Sequence, residues 1–385
     1  MKRTLRNERG MALAIAIFAL VVVGALVAGA FFAGTQEQRV GDNQRRVQQS
    51  FGVAEAGAVE RVRTWNPDSL NRRPIYGVGG WDSVPIGPNL AAPGGTGRYG
   101  GYSYKVGTAL FLIDVTGRDR GSAGGALGAG AGAQQRLGLI TRLNPVDFNI
   151  RASLTTQGNV SVQGNAQVNG IDQNPWPSCD QPLQNQAGVR VDSGTVSTGG
   201  NGLVAGFPPV VQDPSLADSS FTNFGGTSYA ELAARANITL AGGNFQTQPE
   251  FNAGACNKAI LTNWGDGMNP LTACGNYFPI IHITGDATLN GTQGQGILLV
   301  DGNLSIQGSY QFFGIVIIQG ELKTSGGGNT EAHFWGGVMA KNATLDTQNI
   351  SGKATLNYSS CSILTVLQAT SVTQMMRSRS WVQLY

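Results

Sequence analysis

From Met11 to Gln36 the chain runs without a charged residue, as MALAIAIFALVVVGALVAGAFFAGTQ. That run exceeds the roughly 7–15 apolar residues of a cleaved secretory signal. As a helix, residues 11–33 would rise about 34 Å, enough for a hydrocarbon core of roughly 30 Å. The pattern predicts a membrane-spanning helix. Beyond it the periodicity changes rather than stops. Val40, Val47, Phe51, Ala54, Ala58 and Val62 follow at steps of seven, four, three, four and four, which lines one helix face. No proline occurs before Pro67, so one helix over 11–65 is expected. Gly24, Gly29 and Gly34 weaken it by about 1 kcal/mol each relative to alanine.

Residues 66–98 are rich in Pro, Gly and Asn and read as a loop. Three strand-like runs follow, RYGGYSYKVG, TALFLIDVTGRDRG and AQQRLGLITRL. Tyr102, Tyr104 and Val106, then Leu110 and Leu112, alternate as half-buried strands do. The low-complexity stretch GSAGGALGAGAGA, residues 121–133, separates the second run from the third. Residues 66–145 therefore read as a small antiparallel meander.

After Pro145 glycines stand six apart at 158, 164 and 170, at 285 and 291, and at 296, 302, 308, 314, 320 and 326. Apolar residues alternate between them: Val160 and Val162, Ala166 and Val168, Leu304 and Ile306. Short strands punctuated at a fixed period point to a parallel β-helix, whereas a β-sandwich would show no period of six. The glycines fit corners of unusual backbone angle. Four blocks carry this texture, 151–170, 187–206, 236–247 and 279–366. They suggest six to eight coils of about twenty residues and a rod of about 30–40 Å at 4.8 Å per coil. The almost unbroken apolar run GILLVDGNLSIQGSYQFFGIVIIQGELKT requires an outer covering segment. Residues 146–385 are thus read as a β-helix head, with loops at 171–186, 207–235 and 248–278 and with the tail MMRSRSWVQLY as a cap. The fold class is mainly β with one long N-terminal helix.

Charge corrects one inference from the totals. The chain holds 26 Lys+Arg against 23 Asp+Glu, yet Lys2, Arg3, Arg6 and Arg9 against Glu8 account for the whole excess. The remainder balances, which gives no basic face for a nucleic acid. The positive leader favours an N-terminus held in the cytoplasm.

A short basic leader ending in Gly10, an uncharged segment and an amphipathic continuation together resemble the N-terminus of type IV pilins and pseudopilins. FGVAEAGAVERV, residues 51–62, is similar to the AAEAG helix of PilX-like minor pilins. The resemblance covers residues 1–65 well and extends weakly to about 145. It implies cleavage by prepilin peptidase between Gly10 and Met11, a stay in the inner membrane, and later packing against other pilin subunits. Pilins of this family usually carry glutamate as the fifth mature residue. Here it is Ile15, a departure similar to that of PilX-type minor pilins and of the pseudopilin at the tip of type II secretion systems. The glycine-rich repeat is similar, less specifically, to bactofilin-type or PilX-associated β-helices.

Four cysteines, Cys179, Cys256, Cys274 and Cys361, lack the spacing of a zinc site. Outside the cytoplasm they favour disulfides. Of three possible pairings, Cys256–Cys274 would close one insertion, leaving Cys179–Cys361; four reduced, buried thiols are the alternative. Asp286, Asp301, Glu321, Glu331 and Asp346 are too scattered for acid–base chemistry, and His333 beside Glu331 reads as a surface pair. No enzymatic activity, cofactor or metal is expected. Tyr310, Phe312, Phe313, Phe334 and Trp335 lie close in sequence. They are candidates to contact a surface ligand or carbohydrate, against the alternative that an insertion covers them. The seven Asn-x-Ser/Thr sequences, including those at Asn159, Asn237 and Asn303, read as corners of the β-helix. The expected protein is a minor pilin at the tip or side of a filament, acting in assembly priming or adhesion. The alternatives are a signal-anchored periplasmic β-helix protein and a carbohydrate-active β-helix enzyme.

Overall fold

The computed structural model describes residues 9–75, 83–91, 97–118, 133–179, 183–325, 331–345, 353–376 and 380–384. Most of the leader, nearly all of the Gly/Ala-rich stretch and Asp346 lie outside the described residues. Helix α1 (Arg9–Arg63) is one unbroken rod of 55 residues, about 82 Å long at 1.5 Å per residue. The single turn α2 (Pro67–Leu70) follows, with proline at its start and Asn66 Oδ1 accepting from the Ser69 amide, an arrangement suited to a helix N-terminus.

Four strands then form an antiparallel meander: β1 (Ser83–Ala91), β2 (Arg98–Lys105), β3 (Leu110–Arg118) and β4 (Gln134–Asn144). β1 falls in the stretch read as a loop. It carries Pro85 and Pro88, and among the described residues it pairs only with β2, through a shifted register, as an edge strand. An edge is where proline is tolerated, because it has no N–H to give a second neighbour. Phe111, Ile113 and Val115 of β3 and Leu137, Leu139 and Leu143 of β4 face α1, where Ala54 and Ala58 are fully buried. Contact is close enough that a Cβ at Gly117 would lie 2.2 Å from the Ser50 carbonyl oxygen.

The solenoid begins with β5 (Ala152–Thr156), β6 (Val160–Val162), β7 (Gln167–Asn169), β8 (Ala187–Val191), β9 (Val196–Thr198), β10 (Leu203–Ala205) and β11 (Val210–Gln212). A connecting strap holds a 3-10 turn, the short hairpin β12 (Asn223–Phe224) and β13 (Thr227–Ser228), and α3 (Tyr229–Ala234). β14 (Ile238–Phe245) comes next, then the small hairpin β15 (Phe251–Asn252) and β16 (Ala255–Cys256). The long strands β17 (Ile280–Leu289), β18 (Gln293–Val300), β19 (Leu304–Gln307), β20 (Gln311–Ser325), β21 (Glu331–Leu345) and β22 (Lys353–Tyr358) complete the coils. Helix α4 (Ser360–Thr370), β23 (Val372–Met375) and β24 (Trp381–Leu384) end the chain.

All pairings within the solenoid are parallel, and they make a three-sided β-helix. Down one side the interior positions are Ile238, Ile281, Leu298, Val316, Val338, Leu154, Val189 and Val210. These eight levels span about 34 Å at 4.8 Å each. The stack is out of sequence order. The chain enters at mid-height with β5, climbs through β8 to β11, and crosses back along the strap to β14 at the far end. It then climbs through β17, β18 and β20 to β21, which pairs with β5. Entry and exit therefore lie side by side.

The period of six marks corners. Gly296, Gly314 and Gly336 stack in register with φ of 110°, 139° and 146°. A Cβ at Gly336 would lie 1.9 Å from the Gly314 oxygen, so neither the angle nor the space admits another residue. Asparagines hold other corners. The side-chain oxygens of Asn159, Asn237 and Asn303 accept from the backbone amides of Thr195, Ile280 and Glu321 in the next coil.

The required outer cover is present. Ile280, Ile297, Leu299, Ile315, Ile317 and Met339 project outward from one side, beneath Phe221, Phe224 and Leu232 of the strap and Ile363 and Val366 of α4. Asn71 ties this layer to the helix domain. Its Nδ2 donates to the carbonyls of Gln368 at 2.7 Å and Ser371 at 2.7 Å at the end of α4, and its Oδ1 accepts from Trp65 Nε1 at 2.9 Å. The C-terminal tail does not cap the solenoid as expected. β23 and β24 both pair antiparallel with β4, because exit beside the entry point returns the chain to the meander.

Arg190, nearly buried, donates through Nε to Asp213 Oδ2 at 2.8 Å, where the strap leaves β11. The Ser215 hydroxyl, the Arg190 guanidinium and the Ser215 amide, in that order, hold the Asp213 carboxyl down to about 2, against about 3.9 unfolded. A depressed folded value means a contribution fully present above about pH 4 and lost as pH falls toward 2. Asp213→Asn should therefore lower stability at neutral pH and flatten the acid limb between those values, as read by thermal unfolding across pH.

Candidate functional site: an uncovered apolar helix

The feature with the most chemical consequence is the outer part of α1. From Leu13 to Gly34 every side chain is exposed, including Leu13 at 65%, Ile15 at 66%, Phe18 at 71% and Phe31 at 77%. This is far more contiguous apolar surface than a monomer leaves in water. By length and composition the segment can cross a membrane. Gly10 and Met11 lie in the first turn of the helix, at the boundary between the leader charges and the apolar run.

The docking face of α1 differs from the one read in sequence. Ser50, Ala54 and Ala58 are buried, with Val53 and Val62 packed beside them, whereas Val40, Val47 and Phe51 stay exposed. Small residues admit the close approach of β3, so they win the seam. The larger apolar residues are left to extend the exposed stripe beyond the span. Arg61 adds a polar tie, its Nε donating to Ser103 Oγ at 3.0 Å.

Of the aromatic candidates, Tyr310, Phe312, Phe313 and Phe334 are buried and Trp335 is half-buried, so four of the five are not free to meet a ligand. Phe312 and Phe334 occupy successive levels of one interior column, between Gly294 and Leu356. Tyr310 is wholly buried, its hydroxyl near Thr247 Oγ1 at 3.3 Å. Phe313 packs outside the coil against Trp176, ring centroids 5.6 Å apart, and Trp335 stacks on Phe313 at 6.4 Å. The alternation of inward and outward positions puts Phe312 and Phe313 on opposite sides of the wall, and an insertion covers the outer one. A polar cleft of about 540 Å³ does open under the strap, lined by Asp147, Arg151, Arg190, Ser219, Ser220 and Asn223 among others.

The disulfides join Cys179 to Cys361 and Cys256 to Cys274, with Cα atoms 5.9 and 4.7 Å apart. The first fastens α4 to the insertion after β7. The second closes the loop whose Trp264 is buried in the coil interior beside Gly294.

The solenoid acids are dispersed among structural roles. Asp286 Oδ1 accepts from the Asn303 amide at 2.7 Å, and Glu321 pairs with Lys323 at 3.0 Å. Among the described residues no three His, Cys, Asp or Glu side chains gather to hold a metal. One cluster escaped the sequence reading. His282 Nε2 lies 3.0 Å from Asp301 Oδ1, which also accepts from the Tyr229 hydroxyl at 2.8 Å. Burial and the Asp301 carboxylate push the Tyr229 phenol well above its usual range, keeping it a donor. The cluster bolts α3 to the outside of β17. The capping box Ser228–Glu231 could have revealed α3 in the sequence, though not its partners.

No family model matches the chain, and no curated protein matches it. Among solved structures it is similar to the competence-associated pilin ComZ from Thermus thermophilus, at 12% identity and a TM-score of 0.25. The match covers 88% of this chain and 98% of that one. A likeness so loose bears on neither mechanism nor partners, which must come from the helix and the head themselves.

Proposed function

We propose that this chain is a minor pilin-like subunit without enzymatic activity, held by α1 in the inner membrane with its N-terminus cytoplasmic. Prepilin peptidase then matures it, and it enters a type IV pilus-like filament among other pilin subunits. The observation that carries this reading is the uncovered apolar helix, continued past the span by Val40, Val47 and Phe51. Such a stripe is suited first to lipid and then to neighbouring helices.

Ile15 supports a tip or accessory position in the filament. In the family the fifth mature residue is a glutamate thought to meet the terminal amine of a neighbour. An isoleucine there would leave a buried amine unpaired at each step of a polymer, which costs several kcal/mol per interface. A rare subunit at a tip or accessory position has no such repeating penalty. The bulk of the β-helix head favours the same placement, in assembly priming or adhesion. The strap cleft is the better place on this head for a small polar surface ligand or carbohydrate, since Tyr310, Phe312, Phe313 and Phe334 are buried. Immunogold labelling should mark filament ends or isolated points against another, major pilin. Continuous labelling of filaments made of this chain alone would overturn the reading. A signal-anchored β-helix protein outside any filament would give no filament labelling.

A further inference from the structure

The cleft under the strap is built on the outward face of the coil wall. Met339, Thr155 and Arg190 stand side by side there on the adjacent strands β21, β5 and β8. Met339 and Arg190 line the opening, together with Phe148 and Leu216. Thr155 lies between them, and its hydroxyl is buried without a hydrogen-bond partner among the described residues. The walls come from residues 147–151, just before β5, and from the 3-10 turn and β12 of the strap. A volume of about 540 Å³ falls within the range of small-molecule sites, roughly 300–1,000 Å³.

Charge and hydrogen-bonding capacity in the walls select the ligand. Arg190 is held by Asp213, which leaves one lining charge of each sign, Asp147 and Arg151. Asp147 Oδ1 accepts from the Asn149 amide at 3.0 Å, which fixes that carboxylate in place. Arg151 is exposed and forms no hydrogen bond or ion pair among the described residues. An ion of either sign would therefore meet a charge of its own sign. Arg151 only donates and Asp147 only accepts, while the carboxamides of Asn149 and Asn223 do both. Neutral hydroxyl groups, which also do both, match that set. Phe148, Leu216 and Met339 add apolar surface suited to the C–H face of a sugar ring. The cleft is also elongated. Arg151 precedes Thr155, the partner of Arg190, by four residues, about 13 Å of extended chain, which is room for more than one ring.

We propose that the strap cleft binds a short neutral oligosaccharide, its hydroxyl groups held between Asp147 and Arg151 and one ring face resting on Met339. The inference rests on the ligand-site part of the functional reading above and not on entry into a filament.

The test is retention of the purified full chain, in detergent micelles, on immobilised neutral di- and trisaccharides and on their uronic-acid counterparts, with affinities from calorimetry. Wild type should bind at least one neutral saccharide. Arg151→Ala should weaken that binding about tenfold, the worth of one hydrogen bond to a charged group. Asn149→Gly should weaken it as well, since glycine accepts the φ of 48° at this position and only the carboxamide is lost. Circular dichroism should stay unchanged in both variants, because both side chains are exposed. Wild type that binds no neutral saccharide, or only the acidic ones, would overturn the inference. Binding left intact by both variants would do the same, by placing the site elsewhere. Labelling of filament ends does not depend on any of these results, so the pilin reading stands or falls on its own.

Discussion

Replacing Cys179 and Cys361 by alanine together should lower the unfolding free energy by about 5 kcal/mol, compared with about 3 kcal/mol for Cys256 and Cys274. The difference follows from sequence separation, 182 residues against 18, through the chain entropy that each crosslink removes from the unfolded state. A loss of about 5 kcal/mol rivals the whole stability of many domains. The position of the longer bridge adds to the effect. Cys361 sits in the first turn of α4, whose Ile363 and Val366 cover the outward isoleucines of β18 and β20. Freed of the bridge, α4 keeps its cap at Ser359 and the three carbonyl contacts from Asn71, so the helix should remain formed while its opening becomes easier. Urea unfolding of the two double variants in detergent provides the comparison. An equal or larger loss for the short bridge would refute the loop-length argument.

The second expected effect is all-or-none. Replacing Gly10 by valine should leave the chain at full length, with its basic leader attached and the protein retained in the membrane. Intact-mass analysis should find wild type beginning at Met11 and the variant beginning at Met1. The physical ground is the junction itself. The last basic residue of the leader, Arg9, stands one residue before Gly10, and the first apolar residue follows directly. A peptidase acting at the membrane face meets its bond there, and a β-branched side chain in place of glycine obstructs it. A wild-type chain that begins at Met1 would sink the pilin reading and leave the anchored β-helix alternative.

How far the sequence reveals this molecule depends on the kind of constraint each element obeys. The span is legible because one physical requirement, apolar side chains over about twenty residues, dominates the composition there. The β-helix is legible because many of its corners demand glycine or asparagine, and two glycines of the six-residue repeat, Gly296 and Gly314, stack at one corner of the structure. The disulfide pairing followed from insertion boundaries. What stayed hidden was set by long-range packing. Nothing in VTQM marks β23 as a partner of β4, and Pro85 and Pro88 disguise β1 as a loop. The stripe of Val40, Val47 and Phe51 has the right helical spacing, yet spacing alone cannot say whether the sheet or a neighbour will cover it. Tyr310, Phe312 and Phe334 looked available because they are aromatic and clustered. The narrow coil needs large side chains at that level to fill it, and that need becomes visible only when the strand register is known. The Tyr229–Asp301–His282 cluster draws on three segments whose proximity depends on the strap crossing back.

The side-by-side entry and exit of the solenoid also governs the order in which the molecule can be made. β4 finds its neighbours β23 and β24 only after the whole solenoid has been synthesised, Thr373 meeting Arg142 across 231 positions. Asn71 waits still longer for Ser371, across 300 positions. The first coils, β5 to β11, leave the ribosome with one flank of their stack bare, and that flank is closed by β21 and β22, the last strands of the solenoid to emerge. Loops of such length close slowly, and the delay leaves strand edges open to wrong partners. A chain that stops short of residue 331 thus lacks both the middle of its stack and two strands of its meander. Removing the final segment should therefore disable the domain nearest the N-terminus as thoroughly as the head itself.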